Sequence, residues 1–90
     1  MLSHTETIKQ QYVELLAEFK SNFPNVEPPE ARWWVIWLSR NNPTDVHLAI
    51  EKLGKHPLKA KFTTLSTGKA ISALLRDAAV VRAMEETVRP

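Results

Sequence analysis

Apolar residues recur along this chain every three to four positions, in four runs separated by breaks rich in proline and asparagine. Ile8, Tyr12, Leu15, Leu16 and Phe19 share one side of a helix, with Glu14, Glu18 and Lys20 on the other. Ser3-His4-Thr5-Glu6 reads as a capping box: the Ser3 hydroxyl accepts from the Glu6 N–H and the Glu6 side chain reaches back. A first helix over residues 4–22 follows, ended by Pro24, which disfavours the helical conformation at Phe23. Pro28-Pro29-Glu30 opens a second helix over 29–41, proline being tolerated in a first turn. A third, over 43–53, has Asn42 as N-cap, Pro43 at its first position, Asp45 in its first turn and the stripe Val46, Ala49, Ile50 and Leu53. Gly54 suits the position after its C-terminus. Residues 55–65 are irregular, with Phe62 and Leu65 expected to point inward. Thr64 or Ser66 caps a last helix over 66–87, whose buried face is Ala70, Ile71, Leu74, Leu75, Ala78 and Val81. No segment reads as a strand. The pattern predicts an all-α fold, a small bundle of four helices whose short first connectors favour antiparallel neighbours.

The second run holds the greatest concentration of apolar surface. All three tryptophans of the chain fall in Arg32-Trp33-Trp34-Val35-Ile36-Trp37-Leu38. Trp33, Trp34, Trp37 and Leu38 share a broad face, while Val35 and Ile36 fall toward its flanks. Trp33 and Trp34 diverge by roughly 100° around a helix, so only one of them sits at its centre. The helix is the central strut of the bundle or part of a binding surface. Trp34, Trp37 and Leu38 are expected inside, which leaves Trp33 or the Val35/Ile36 edge as surplus at the rim, where a tryptophan anchors a partner. Val80 and Met84 lie off the main face of the last helix and add surplus apolar surface, a second candidate for partner contact, and the alanine-rich last helix offers a route to self-association.

Composition narrows the class. Ninety residues, 43% apolar and 24% charged, suit one globular domain over 1–90. The chain has no cysteine, which removes disulfides and thiolate metal sites. No apolar run approaches the roughly 18 residues of a membrane span. Met-Leu-Ser-His-Thr-Glu has neither the basic nor the apolar region of a signal peptide, so a cytoplasmic protein is expected. The formal charge of +2 is too small to imply nucleic acid by itself.

No pattern of catalytic residues emerges. Ser66-Thr67-Gly68-Lys69-Ala70 lacks the earlier glycine and the final Ser/Thr of a phosphate loop, Thr63 and Ala70 standing there instead, and no strand precedes it. It reads as a helix N-terminus rich in hydroxyls. The histidines His4, His47 and His56 find no acid or second histidine at metal-ligand spacing on a helix, apart from the neighbours Asp45 and His47, which point to different sides. Glu85 and Glu86 read as solvated charges. The expectation is a non-enzyme without cofactor or metal. A basic set, Lys55, Lys59, Lys61, Arg76 and Arg82, with Lys52 and Lys69 nearby, offers an alternative role: sequence-independent, salt-dependent nucleic-acid binding. The connector between the third and fourth helices, roughly ten residues, is too long for a helix-turn-helix.

The order of features resembles the phage replicative-helicase loader and inhibitor family over about residues 12–75. The points of resemblance are the aromatic-proline turn Phe23-Pro24-Asn25, the Trp-bearing helix from Trp33 to Leu38, the stripe Val46, Ala49 and Leu53, and Phe62-Thr63-Thr64 leading into a last helix. The chain departs from the family at Thr64-Leu65-Ser66, where prolines are usual, and in its tryptophan doublet. The resemblance implies a protein–protein adaptor in DNA replication that binds a replicative helicase, delivers it to an origin and restrains its ATPase meanwhile, with the helicase contact toward the C-terminal part. A phage inhibitor of another host enzyme would share this logic.

Overall fold

The computed structural model describes residues 4–88 as four α-helices and one short 3₁₀ turn: α1 (His4–Asn22), α2 (Ala31–Arg40), α3 (Pro43–Gly54), η1 (Lys59–Lys61) and α4 (Thr64–Val88). The all-α expectation holds, and no strand occurs among the described residues. None of these helices is long and apolar enough to cross a membrane. The capping box expected at Ser3–Glu6 involves a residue outside the described ones.

The core is the expected one at most positions. Leu15 and Phe19 of α1, Trp34, Trp37 and Leu38 of α2, Val46, Ala49, Ile50 and Leu53 of α3, and Ile71 and Leu75 of α4 are buried together. Phe23 joins them from beyond the end of α1, where its N–H still donates to the Phe19 carbonyl at 2.8 Å and its ring stacks on Phe19 with centroids 5.0 Å apart. Aromatic contacts then run without a gap through the molecule. Phe62 meets Phe23, Phe19 meets Trp34 edge-on at 89°, and Trp34 meets Trp37, which meets Trp33. Such tilted pairs contribute about 0.5–1.5 kcal/mol each beyond the area they bury.

Trp34 is the hub. It is fully buried, and burying its indole N–H without a partner would cost a kcal/mol or more. The N–H donates to the Pro29 carbonyl at 3.0 Å. This corrects the expected start of the helix. Pro28 and Pro29 precede α2, with extended Glu30 at the N-cap, so the Pro29 carbonyl lies outside the helix and is free to accept from the indole.

Several other expectations are corrected. Gly54 is the last helical residue, not a left-handed cap, and no glycine has positive φ. A side chain there would overlap Asn22 Oδ1, so its smallness serves the close approach of the end of α1. The cap of α4 is Thr63, not Thr64 or Ser66. The Ser66 N–H donates to Thr63 Oγ1 at 3.1 Å, and the Thr63 N–H donates to Ser66 Oγ at 2.7 Å, a reciprocal pair. With α4 beginning at Thr64, the turn of the helix carries Leu65 to the outside, where it is 55% exposed, while Phe62 still packs inward. Val81 is also half-exposed, because it sits beside Leu48 at the open rim between α3 and α4 rather than under α3.

The packing order differs from a simple succession of antiparallel neighbours. α3 packs chiefly against α1 and α4, and only lightly on α2. Arg82 near the end of α4 reaches Asp45 at the start of α3, so these two helices are antiparallel. Trp33 lies on Gly68, and Trp37 bonds Ser72, so α2 and α4 run in the same direction.

Replacement of Trp34 by alanine is expected to cost about 3–5 kcal/mol, a large share of the roughly 5–15 kcal/mol that stabilises a small domain. Chemical denaturation followed by circular dichroism measures it; a loss below about 1 kcal/mol would remove Trp34 from its central place.

Candidate functional site

A groove of about 590 Å³ lies between α2 and α4. Helical spacing builds both walls. On α2, Arg32, Ile36 and Arg40 recur every fourth position beside Trp33 and Trp37; on α4, Ser72, Leu75, Arg76 and Ala79 recur every third or fourth. The floor is apolar, and three guanidinium groups stand around it. Trp37 is buried and its indole N–H donates to Ser72 Oγ at 2.9 Å, which ties the walls together. Ile36 is 49% exposed and projects into solvent.

Trp33 is partly buried, as its rim position predicted, but one face of its ring is occupied. A Cβ at position 68 would lie 3.1 Å from the ring, so Gly68 is the seat of this indole. The glycine that suggested a phosphate loop thus has a packing role. The surrounding hydroxyls are also engaged: Ser66 and Thr63 cap each other, Thr64 Oγ1 donates to the Glu27 carbonyl at 2.7 Å, and buried Thr67 donates to the Thr64 carbonyl.

The structure divides the expected basic set. Lys55 pairs with Glu51 at 3.2 Å, one helical turn back. Lys59 and Lys61 lie on η1, Lys59 with its ammonium 5.5 Å from the centre of the Phe23 ring. Arg76 stands about 18 Å along α4 from its first residue, at a rise of about 1.5 Å per residue, and lines the groove beside α2. Arg82 is held by both oxygens of Asp45, at 2.8 and 2.9 Å, which raises its pKa further. These five cations do not form one surface. Arg40 and Arg76 do share one, and neither has a carboxylate within ion-pair distance among the described residues. Arg32 pairs with Glu30 at 3.2 Å, a fully solvated contact of little energetic weight. Arg32 and Arg40 were not among the expected contact residues. Their four-residue spacing around Ile36 was the available signal.

Val80 and Met84 are 58% and 62% exposed, as their off-face positions implied. They lie on α4 just beyond the groove wall that ends at Ala79.

One histidine departs from expectation: His47 does have an acid one turn away on its own helix, Glu51, and a second on α1. His47 contacts Glu18 of α1 through Nδ1 at 2.7 Å and Glu51 of its own helix through Nε2 at 3.2 Å. Asp45 turns away to Arg82, so these neighbours do point to different sides. The hydrogen bond to Glu18 chiefly raises the His47 pKa above its ordinary 6.5; desolvation opposes it, and the charges of Glu18 and Glu51 add to the rise. No group of three or more potential metal ligands occurs among the described residues, and these contacts are those of an ion pair.

No family model, no curated protein and no solved structure matches this chain.

Because the folded pKa of His47 is raised, its contribution to stability is full below pH 6.5 and fades as pH rises through the folded value. The pair is partly solvated, so the effect is below about 1 kcal/mol. Thermal unfolding of the native chain and of His47→Gln should diverge at low pH and converge at high pH. Equal pH profiles for the two would contradict it.

Proposed function

We propose that this chain is a non-enzymatic protein–protein adaptor that seats a partner in the α2–α4 groove. A replicative helicase, the partner implied by its order of helices and turns, is the one it binds and restrains in DNA replication. The observation that carries the reading is the groove: an apolar floor of Trp33, Ile36, Trp37 and Leu75 with arginines around it. Interface anchors take this form, an apolar pocket with a charged rim. Arginine also presents a planar fork that matches carboxylates, which favours a partner segment carrying both apolar and acidic side chains.

Base stacking is less well served. Trp37 is buried by its neighbours, one face of Trp33 rests on Gly68, and Ile36 and Leu75 offer no ring. The lysines that would follow a nucleic-acid backbone stand on η1, away from the groove.

Ile36→Glu tests the site, since Ile36 is half-exposed and its replacement spares the core. The native chain should co-elute with a hexameric replicative helicase and lower its ATPase rate. Ile36→Glu, folded by circular dichroism, should weaken that complex at least about tenfold, as loss of an interface anchor does. No complex and an unchanged ATPase rate with the native chain would overturn the helicase reading. Equal binding by Ile36→Glu would move the contact out of the groove.

A further inference from the structure

The face of α4 that walls the groove continues past Ala79, and from Arg76 to Glu86 it is complementary to itself. Arg76, Ala79, Ala83 and Glu86 recur at alternating spacings of three and four, so they lie along one line of the helix. All four are exposed, and Val80 and Met84 flank the line as the most exposed apolar side chains of this segment. The line carries a cation at one end and an anion at the other. Arg82 is turned aside to Asp45 and takes no part.

We propose that two copies of this chain pair through the C-terminal half of α4, antiparallel and about a two-fold axis. In that register Arg76 faces Glu86 of the second copy, Ala79 faces Ala83, and each pairing occurs twice, as a two-fold interface requires. Charge complementarity selects this occupant. Arg76 on the α4 wall of the groove has no acidic partner among the described residues, and the second copy brings Glu86 to it. The alanines at the centre leave the helices free to approach. Val80 of each copy lies beside the line, so the two gather along one flank and lose exposure to water, with Met84 at their outer edge.

This pairing does not depend on the adaptor reading, and it divides the sequence-named contact residues. Val80 and Met84 serve the second copy. Trp33 and Ile36, at the other part of the groove, remain open to a different partner. The two-fold axis places both α2 helices on the same side, so the pair presents two grooves together. A contact of a few helical turns is smaller than a standard interface, so the dimer is weak and its population rises with concentration.

Sedimentation equilibrium over a concentration series tests it. The native chain should shift from its 10.3 kDa mass toward twice that value. Arg76→Glu and Glu86→Arg, both at exposed positions, should each remain monomeric and folded. In the mixed pair formed from an equimolar mixture of the two, both contacts bring unlike charges together, so the mixture should dimerise, and the double variant Arg76→Glu/Glu86→Arg restores both contacts with their signs exchanged. The double variant should therefore dimerise as the native chain does, and more strongly at low salt. A native chain monomeric at its highest soluble concentration overturns the proposal, as does a double variant that stays monomeric or single variants that dimerise unchanged. Ile36→Glu should leave the dimer intact, so failure of the adaptor reading and failure of this one are separately visible.

Discussion

The structure depends on the burial of one indole. Trp34 touches α1 through Tyr12 and Phe19 and its own helix through Trp37, and its N–H is satisfied by a carbonyl outside that helix. It is the largest fully buried side chain of the described residues, and a ring of its size buries about 150–250 Å². It also imposes a condition on the chain before it. The Pro29 carbonyl must stay free of the helix, and the prolines at 28 and 29 hold that segment extended. Two features that look separate in the sequence, a proline pair and a tryptophan doublet, are parts of one hydrogen-bonded arrangement.

With Trp34 at the centre, Trp33 is forced to the edge of the helix, and the edge needs a neighbour of a particular shape. Gly68 supplies it. The ring then stands as one wall of the groove, and the bond from Trp37 to Ser72 sets the spacing of the other. The groove is therefore a consequence of how a helix with three tryptophans is accommodated by a small bundle. Its polar rim has a similar origin: Ile36 lies midway between Arg32 and Arg40 on the side of α2 that the core does not cover.

Ion pairs between helices decide which charges remain available. Asp45 takes Arg82 and joins α3 to α4; Glu18 and Glu51 take His47 and join α1 to α3. Both pairs hold helices that the core already brings together. What is left over is an uneven distribution, with Arg40 and Arg76 beside apolar surface and lysines clustered on η1. The proposals for a partner and for a second copy both start from that remainder.

Periodicity alone determined the helices and most of the core. Stripes such as Val46, Ala49, Ile50 and Leu53 need only a helical repeat to be recognised, and a side chain's face follows from its position in the turn. Helix ends were less legible where they depend on contacts from elsewhere. Gly54 looked like a cap and proved to be the room made for Asn22; Leu65 looked buried and was turned outward by a start at Thr64. Trp33 was placed at the rim, but its seat on Gly68 lies 35 positions away in the chain and leaves no local trace. The same holds for the groove, the bond between Trp37 and Ser72, and the pairing of Arg82 with Asp45. These join residues whose separation in sequence is long, so only the packing of one helix on another decides them.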